Sequence, residues 1–442
     1  MTQNHGDSKI ISGFPGGFAS ESVADAMFVI SIAAMKRNTA ILREVKEAAG
    51  CHLVLALKGF SCWKAFPYLR DDLDGCCASG LWEALLARDY FQKHIVTYSP
   101  AYDVADVAEL CEFTDHLDFN SLSQWFRFRE IVMAHPRFKN GKLHCGLRVN
   151  PECSTGETPI YDPCVPGSRL GITAEQLAGA DLTGLSGLHF HTLCEQNSDD
   201  LEKTLTAVDE KFGHLLRLPQ FTYLNMGGGH WITKPFYDRE RLIRLVRDTR
   251  EKYGLEIWLE PGEAIAIHTG VLRASVMDVF ESAGHRLAIL SISATAHMPD
   301  VMEMPYRPDV FLVEPPEAGN QTPEKMPAVI FKGESYYQAG DPTNPQSPIP
   351  NLQSPISNPQ SLFTYRLGGP TCLAGDVVGD FSFPRALEVG DTIVFDDMAH
   401  YTMVKTTTFN GVKHPAIALQ HEDGKLEILR EFDYADYRDR LC

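Results

Sequence analysis

A lysine closes a short apolar run, Cys51-His52-Leu53-Val54-Leu55-Ala56-Leu57-Lys58, with Gly59 behind it. A run of that length and composition, followed by a glycine, reads as a buried strand. A lysine at its end sits at the edge of an apolar core, where a partly desolvated amine can form a Schiff base with a carbonyl compound. The plainer alternative is a charged strand end in water. Three further stretches carry chemistry of their own. Leu188-His189-Phe190-His191 places two histidines two residues apart, which on one strand face would make either a metal pair or a flat stacking surface. No third ligand follows at metal spacing, so no metal site is expected. Gly227-Gly228-Gly229 bares backbone N–H groups, as a turn or as an anion cradle. Glu260-Pro261-Gly262-Glu263 offers a carboxylate that could hold a protonated ring nitrogen or simply pair with a neighbouring cation.

All four stretches end apolar runs, and the runs have a rhythm. Strands are expected near 52–58, 74–78, 94–98, 116–120, 143–149, 185–191, 221–226 and 256–260. Helical patterns lie between them, including 81–87, 104–110, 122–133, 201–216 and 239–253. Eight strand–helix repeats are the count of a (β/α)8 barrel, an α/β fold whose reactive groups gather at the strand C-terminal ends. A short strand over 27–31 and a helix over 32–49 precede it. From about Val271 helical periodicity fades, and strand-like runs at 287–293, 310–313, 328–331, 392–395 and 416–420 predict a β-rich domain, a barrel or sandwich. The expected division is 32–270 for the barrel and 271–442, with the lead-in 1–31, for the β-rich part. Residues 341–361 repeat Asn-Pro-Gln-Ser-Pro-like units and read as a proline-rich, disordered insertion without chemistry.

The totals exclude some partners. Forty basic against 58 acidic side chains give a formal net charge of −18, which disfavours nucleic acid and anionic membranes and suits a cationic small molecule. Eleven cysteines without a C-x-x-C pair, and no apolar leader, fit a reduced cytoplasmic setting. No apolar stretch is long enough to span a bilayer.

A lysine, a flat ring, a glycine cradle and a carboxylate, each at a predicted strand end, are what a pyridoxal-phosphate site requires. Position makes the functional reading of Lys58 outweigh the plainer one. The segments 56–69, 161–172, 189–197, 224–232, 260–266, 297–309, 372–376 and 395–403 together resemble the alanine-racemase-fold pyridoxal-phosphate decarboxylases. Within that group they are most similar to the carboxynorspermidine and carboxyspermidine decarboxylase branch. The resemblance implies a homodimer with shared active sites and assigns roles residue by residue. Lys58 would bind pyridoxal 5'-phosphate, His191 would stack on its ring, Gly228 and Gly229 would contact its phosphate, and Glu260 would pair with its ring nitrogen. Tyr401 would touch the cofactor, and Cys372 would donate a proton from the other subunit. Asp376, His297 and Asp300 would line the substrate pocket.

Two departures bear on substrate. Ornithine and diaminopimelate decarboxylases carry an arginine where this chain has Glu263, and the diaminopimelate enzymes follow the cysteine with a glutamate where Leu373 stands. An acid at that lip suits a polyamine tail. The implied reaction is release of carbon dioxide from carboxynorspermidine or carboxyspermidine, in norspermidine and spermidine biosynthesis. The alternatives are diaminopimelate or ornithine decarboxylation, racemisation, or a non-catalytic pyridoxal-phosphate-binding regulator.

Overall fold

The computed structural model describes residues 26–156, 158–304, 306–314, 326–331, 334–342 and 362–442. Residues 1–25 of the expected lead-in and most of the proline-rich insertion lie outside them.

Strand β1 (Met27–Ser31) leads into a helix over Ile32–Ala49, whose first turn is capped by Ser31 Oγ accepting from the Ala34 N–H at 3.3 Å. Gly50, at φ +66°, ends that helix in the left-handed region, and β2 begins two residues later. Eight parallel strands then close on themselves. They are β2 (His52–Ala56), β3 (Gly75–Ala78), β4 (His94–Tyr98), β5 (His116–Phe119), β6 (His144–Arg148), β7 (Gly187–His189), β8 (Tyr223–Asn225) and β9 (Glu256–Leu259). The barrel shuts where β9 pairs with β2, Leu259 opposite Leu53. These strands are apolar along nearly their whole length because a parallel barrel buries both faces, one against the surrounding helices and one inside. Each expected barrel strand is present; 94–98 keeps its bounds, and the others are shorter by one to four residues.

Among the described residues the second sheet has ten strands: β1, β10 (Gly270–Ser282), β11 (His285–Leu290), β12 (Val310–Glu314), β13 (Ser335–Gln338), β14 (Phe363–Gly368), β15 (Val377–Phe383), β16 (Thr392–Asp396), β17 (Ala416–Gln420) and β18 (Leu426–Arg430). β1 runs antiparallel to β10 and parallel to β17, which ties the start of the chain to its end. The run 328–331 is not a strand. Val329 is buried, but the backbone donors beside it go to side chains: Ala328 N–H to Asp396 Oδ1 at 2.9 Å and Phe331 N–H to Tyr336 Oη at 3.1 Å. With those groups engaged the segment offers no ladder. The strands β10, β13, β14, β15 and β18 were not anticipated one by one.

Candidate active site

Lys58 follows β2 by two residues. Its side chain reaches solvent through the barrel mouth, yet protein surrounds the ammonium on its other sides, and those surroundings decide how well it is hydrated. Burial lowers its pKa below the usual lysine range, and the Arg148 guanidinium lowers it further against the pull of Cys77, Glu260 and Cys194. The ammonium lies 5.9 Å from the centre of the Tyr401 ring. An amine in this setting is free of its proton more often than a surface lysine is, which is what attack on a carbonyl carbon needs.

Glu260 stands one residue past β9 and is 7 % exposed. Asn225, the last residue of β8, donates from Nδ2 to Glu260 Oε1 at 2.6 Å, and His189 Nε2 lies 3.6 Å from Oε2. Both histidine rings face Lys58 and Arg148. β7 stops at His189, and each ring finds different partners. Burial holds the His191 ring neutral, well below the usual imidazole range, with Lys58 and Arg148 adding to the effect. Its Nδ1 accepts the Gly228 N–H at 2.8 Å, so the ring proton sits on Nε2.

The glycine run therefore bares fewer amides than its sequence suggests. The Gly227 N–H is taken by Asn225 Oδ1 at 2.9 Å and the Gly228 N–H by His191, leaving Gly229 N–H without a protein acceptor among the described residues. What demands glycine here is close approach of backbone: a Cβ on Gly228 would meet the Glu260 carbonyl oxygen at 2.3 Å, and one on Gly229 would meet that of Leu193 at 2.0 Å. Lys58, His191, Gly228, Gly229 and Glu260 are thus gathered at one mouth.

Acids crowd its rim. Glu263 accepts the Trp231 indole N–H at 3.1 Å, and burial pushes its carboxyl up to about 7 although His400 and Lys234 pull it back. Burial acts to lower the His400 pKa, but Asp397, 3.1 Å away, raises it overall. For Asp397 burial acts upward, but His400 and His268 hold it down at about 2. Burial raises the Tyr401 hydroxyl above its usual range, and Glu263, Cys194, Glu195 and Asp300 add to the rise, which places these groups around one phenol. Asp300 itself is in contact with Lys405 Nζ and accepts the Tyr161 hydroxyl at 3.4 Å, so its charge already has a partner.

Cys372 lies elsewhere in the chain. It is exposed, on the 369–376 loop that joins β14 to β15, and its N–H donates to Asn410 Oδ1 at 2.9 Å. Among the described residues no hydrogen bond, ion pair or ring contact joins it to Lys58, His191 or Glu260. Asp376 closes the same loop. It is buried, and its carboxylate accepts from Ser293 Oγ at 3.0 Å, Thr295 N at 3.2 Å, Thr371 Oγ1 at 2.7 Å and Thr371 N at 3.3 Å. Within one chain it shapes the cysteine loop. His297 is fully buried beside it, with Nδ1 accepting the Ser293 N–H at 3.2 Å.

Asn225, Asp118, Arg148, His400 and Glu195 escaped the sequence reading. Arg148 and Asn225 were within reach, since each ends a barrel strand, the positional rule that singled out Lys58 and Glu260. Asp118 carried the signal of a charge inside an otherwise apolar strand.

Residues 27–399 match the family described as pyridoxal-dependent decarboxylase, C-terminal sheet domain. The chain belongs to this family. It is a pyridoxal-dependent decarboxylase by descent, with the barrel and separate sheet that the family combines. It is 41 % identical over 421 residues to a carboxyaminopropylagmatine decarboxylase of Synechocystis sp., covering 95 % of this chain and 96 % of that one. It is 39 % identical over 417 residues to a carboxynorspermidine/carboxyspermidine decarboxylase of Campylobacter jejuni, covering 94 % and 98 %. A crystal structure of carboxynorspermidine decarboxylase from Campylobacter jejuni, complexed with norspermidine, superposes with a TM-score of 0.76 at 37 % identity, over 94 % of this chain and 99 % of that one. The residues at the barrel mouth fit the cofactor that the family implies: an amine of lowered pKa, a buried carboxylate with its own donor, and the Gly229 N–H, which has no protein acceptor among the described residues.

Proposed function

We propose that the protein decarboxylates carboxynorspermidine and carboxyspermidine, with pyridoxal 5'-phosphate bound at Lys58, in the polyamine biosynthesis of a reducing cytoplasm. The observation that carries this reading is the acidic rim, where Glu263 and Glu195 act on Tyr401 beside the reactive lysine. A polyamine acid carries its extra positive charges at a distance from the reacting carbon, and a rim of carboxylates meets them there. All eleven cysteines are free thiols, which fits the proposed compartment.

The bound cofactor supplies an electron sink for the bond that breaks between Cα and the carboxylate. This chain's residues would do the rest. Lys58 Nζ would hold the cofactor. Glu260 keeps a proton on the ring nitrogen. His191 would offer its neutral ring to the pyridine, Tyr401 lies beside Lys58, and Gly228 and Gly229 would contact the phosphate. The rim acids hold the distal ammonium groups and so fix the angle at which the carboxylate leaves. Cys372 Sγ of a second copy returns a proton to Cα, which makes the working unit a homodimer. In this proposal residues 32–270 form the cofactor-binding unit, and 271–442 with the lead-in 1–31 form the β-rich unit that carries the cysteine.

A second reading rests on the relative from Synechocystis sp., whose name specifies a guanidinium-tailed acid. A planar guanidinium and an ammonium ask for different carboxylate geometry. Assays of carbon dioxide release with carboxynorspermidine, carboxyspermidine, carboxyaminopropylagmatine, diaminopimelate and ornithine separate the two. The proposal expects the first two to give the highest kcat/KM. It falls if diaminopimelate or ornithine does, whereas preference for carboxyaminopropylagmatine favours the second reading. In the same assay Glu263→Arg is expected to raise KM for the polyamine acid about tenfold, the scale of one charge-assisted contact. An unchanged KM would remove Glu263 from the substrate subsite.

A further inference from the structure

Four polar side chains from four parts of the barrel wall meet in its interior and form a line that ends at Glu260. Tyr223 on β8 donates its hydroxyl to Asp118 Oδ1 on β5 at 2.6 Å. Asp118 Oδ2 lies 3.6 Å from His189 Nδ1 on β7, and His189 Nε2 lies 3.6 Å from Glu260 Oε2. Tyr223, Asp118 and His189 are each no more than 1 % exposed. Two glycines make the room. A Cβ on Gly187 would meet the Tyr223 ring at 2.2 Å, and one on Gly146 would meet Asp118 Oδ1 at 2.3 Å and Tyr223 Oη at 2.4 Å. Asp118 Oδ2 and both His189 ring nitrogens have no hydrogen-bond partner among the described residues other than each other and Glu260 across these gaps. A movement of roughly 0.5 Å would bring each gap to hydrogen-bond length, and such bonds commonly tighten when a site is loaded.

Proton counting limits what this line can be. With both carboxylates ionised and the ring neutral, one ring nitrogen would turn a lone pair toward a carboxylate oxygen. One more proton satisfies every atom. Tyr223 O–H then donates to Asp118, Asp118 O–H donates to His189 Nδ1, and His189 Nε2–H donates to Glu260. We propose that His189 is a positioning residue for Glu260, sharing one proton with Asp118 and presenting Nε2–H to the Glu260 carboxylate, which keeps that carboxylate anionic and directed at the cofactor ring nitrogen. The surroundings agree. Burial pushes Asp118 up to about 7 and His189 down to about 4, so the proton favours the acid over the ring. The charged groups facing His189 are Asp118, Glu260, Arg148 and Lys58; Tyr98 meets it edge-on at 5.2 Å.

The proposal rests on the cofactor reading above, and its test separates the two. Holoenzyme variants are compared by cofactor affinity in equilibrium dialysis and by the NMR shift of an isotope-labelled cofactor ring nitrogen, which reports whether that nitrogen is protonated. His189→Phe is expected to weaken affinity about ten- to a hundredfold, the span for a buried charged acceptor left without its donor, and to deprotonate the ring nitrogen. His189→Gln, which keeps an acceptor and a donor, is expected to recover most of both. Asp118→Asn mimics the protonated acid, with an oxygen for Tyr223 and an N–H for His189, and is expected to keep the wild-type shift. Asp118→Leu is expected to behave as His189→Phe does. An unaltered shift in His189→Phe, a glutamine no better than phenylalanine, or an Asp118→Asn as damaged as Asp118→Leu would each overturn the assignment. Should His189→Phe fail to fold, the Asp118 pair decides alone. Glu260→Ala is the control: if it leaves the shift unchanged, the cofactor reading falls and this proposal with it.

Discussion

Replacing Lys58 with alanine is expected to erase the visible absorbance band of the bound cofactor and to lower decarboxylation by at least about a thousandfold, because the covalent tether and a proton-transferring amine go together. The surroundings are built for this one amine. Burial lowers its pKa, and Arg148 contributes in the same direction. Alanine leaves Glu260, Asn225 and His191 in place, so the barrel should melt near the wild-type temperature. Loss of the band without loss of fold is the expected signature. A variant that keeps both band and turnover would remove the foundation of the proposed site.

Cys372→Ala is expected to leave that band intact while lowering correct turnover about a hundred- to ten-thousandfold, the scale of a missing general acid. Its loop is held shut by Asp376 rather than by anything at the barrel mouth of its own chain. The sharper form of the prediction mixes the two inactive variants. If Lys58 and Cys372 serve one site from different copies, randomly reassorted Lys58→Ala and Cys372→Ala chains form dimers with one intact site in half of the population and recover about a quarter of wild-type activity. No recovery, in a mixture demonstrated to exchange subunits, would place the cysteine outside the site.

The barrel was legible in the sequence because a parallel strand buried on both faces must be apolar throughout, which leaves short dense runs such as His94–Tyr98, expected and found at the same residues. The second sheet was half legible for the opposite reason. β18 is mostly exposed, and β10 carries Arg273, Asp278 and Glu281 within thirteen residues, so neither forms a dense apolar run. The run 328–331 misled because burial of Val329 looks the same in sequence whether the backbone beside it pairs with a strand or with side chains.

For the site, the strand-end rule worked one residue at a time. It found Lys58, the glycines and Glu260, each of which has a plausible function on its own. Asp118 has none on its own: its meaning comes from Tyr223, 105 residues away, and from His189 across the barrel. The same limit affected His189 and His191: both face Lys58 and Arg148, but only the structure shows that His191 meets Gly228 while His189 meets Asp118 and Glu260.

The most direct test of the central claim is chemical trapping. The protein is loaded with pyridoxal phosphate, reduced with borohydride and digested, and the modified peptide is sequenced. The account predicts a single labelled lysine, Lys58, in the peptide that begins the 56–69 segment. A label on any other lysine, or none, would contradict it.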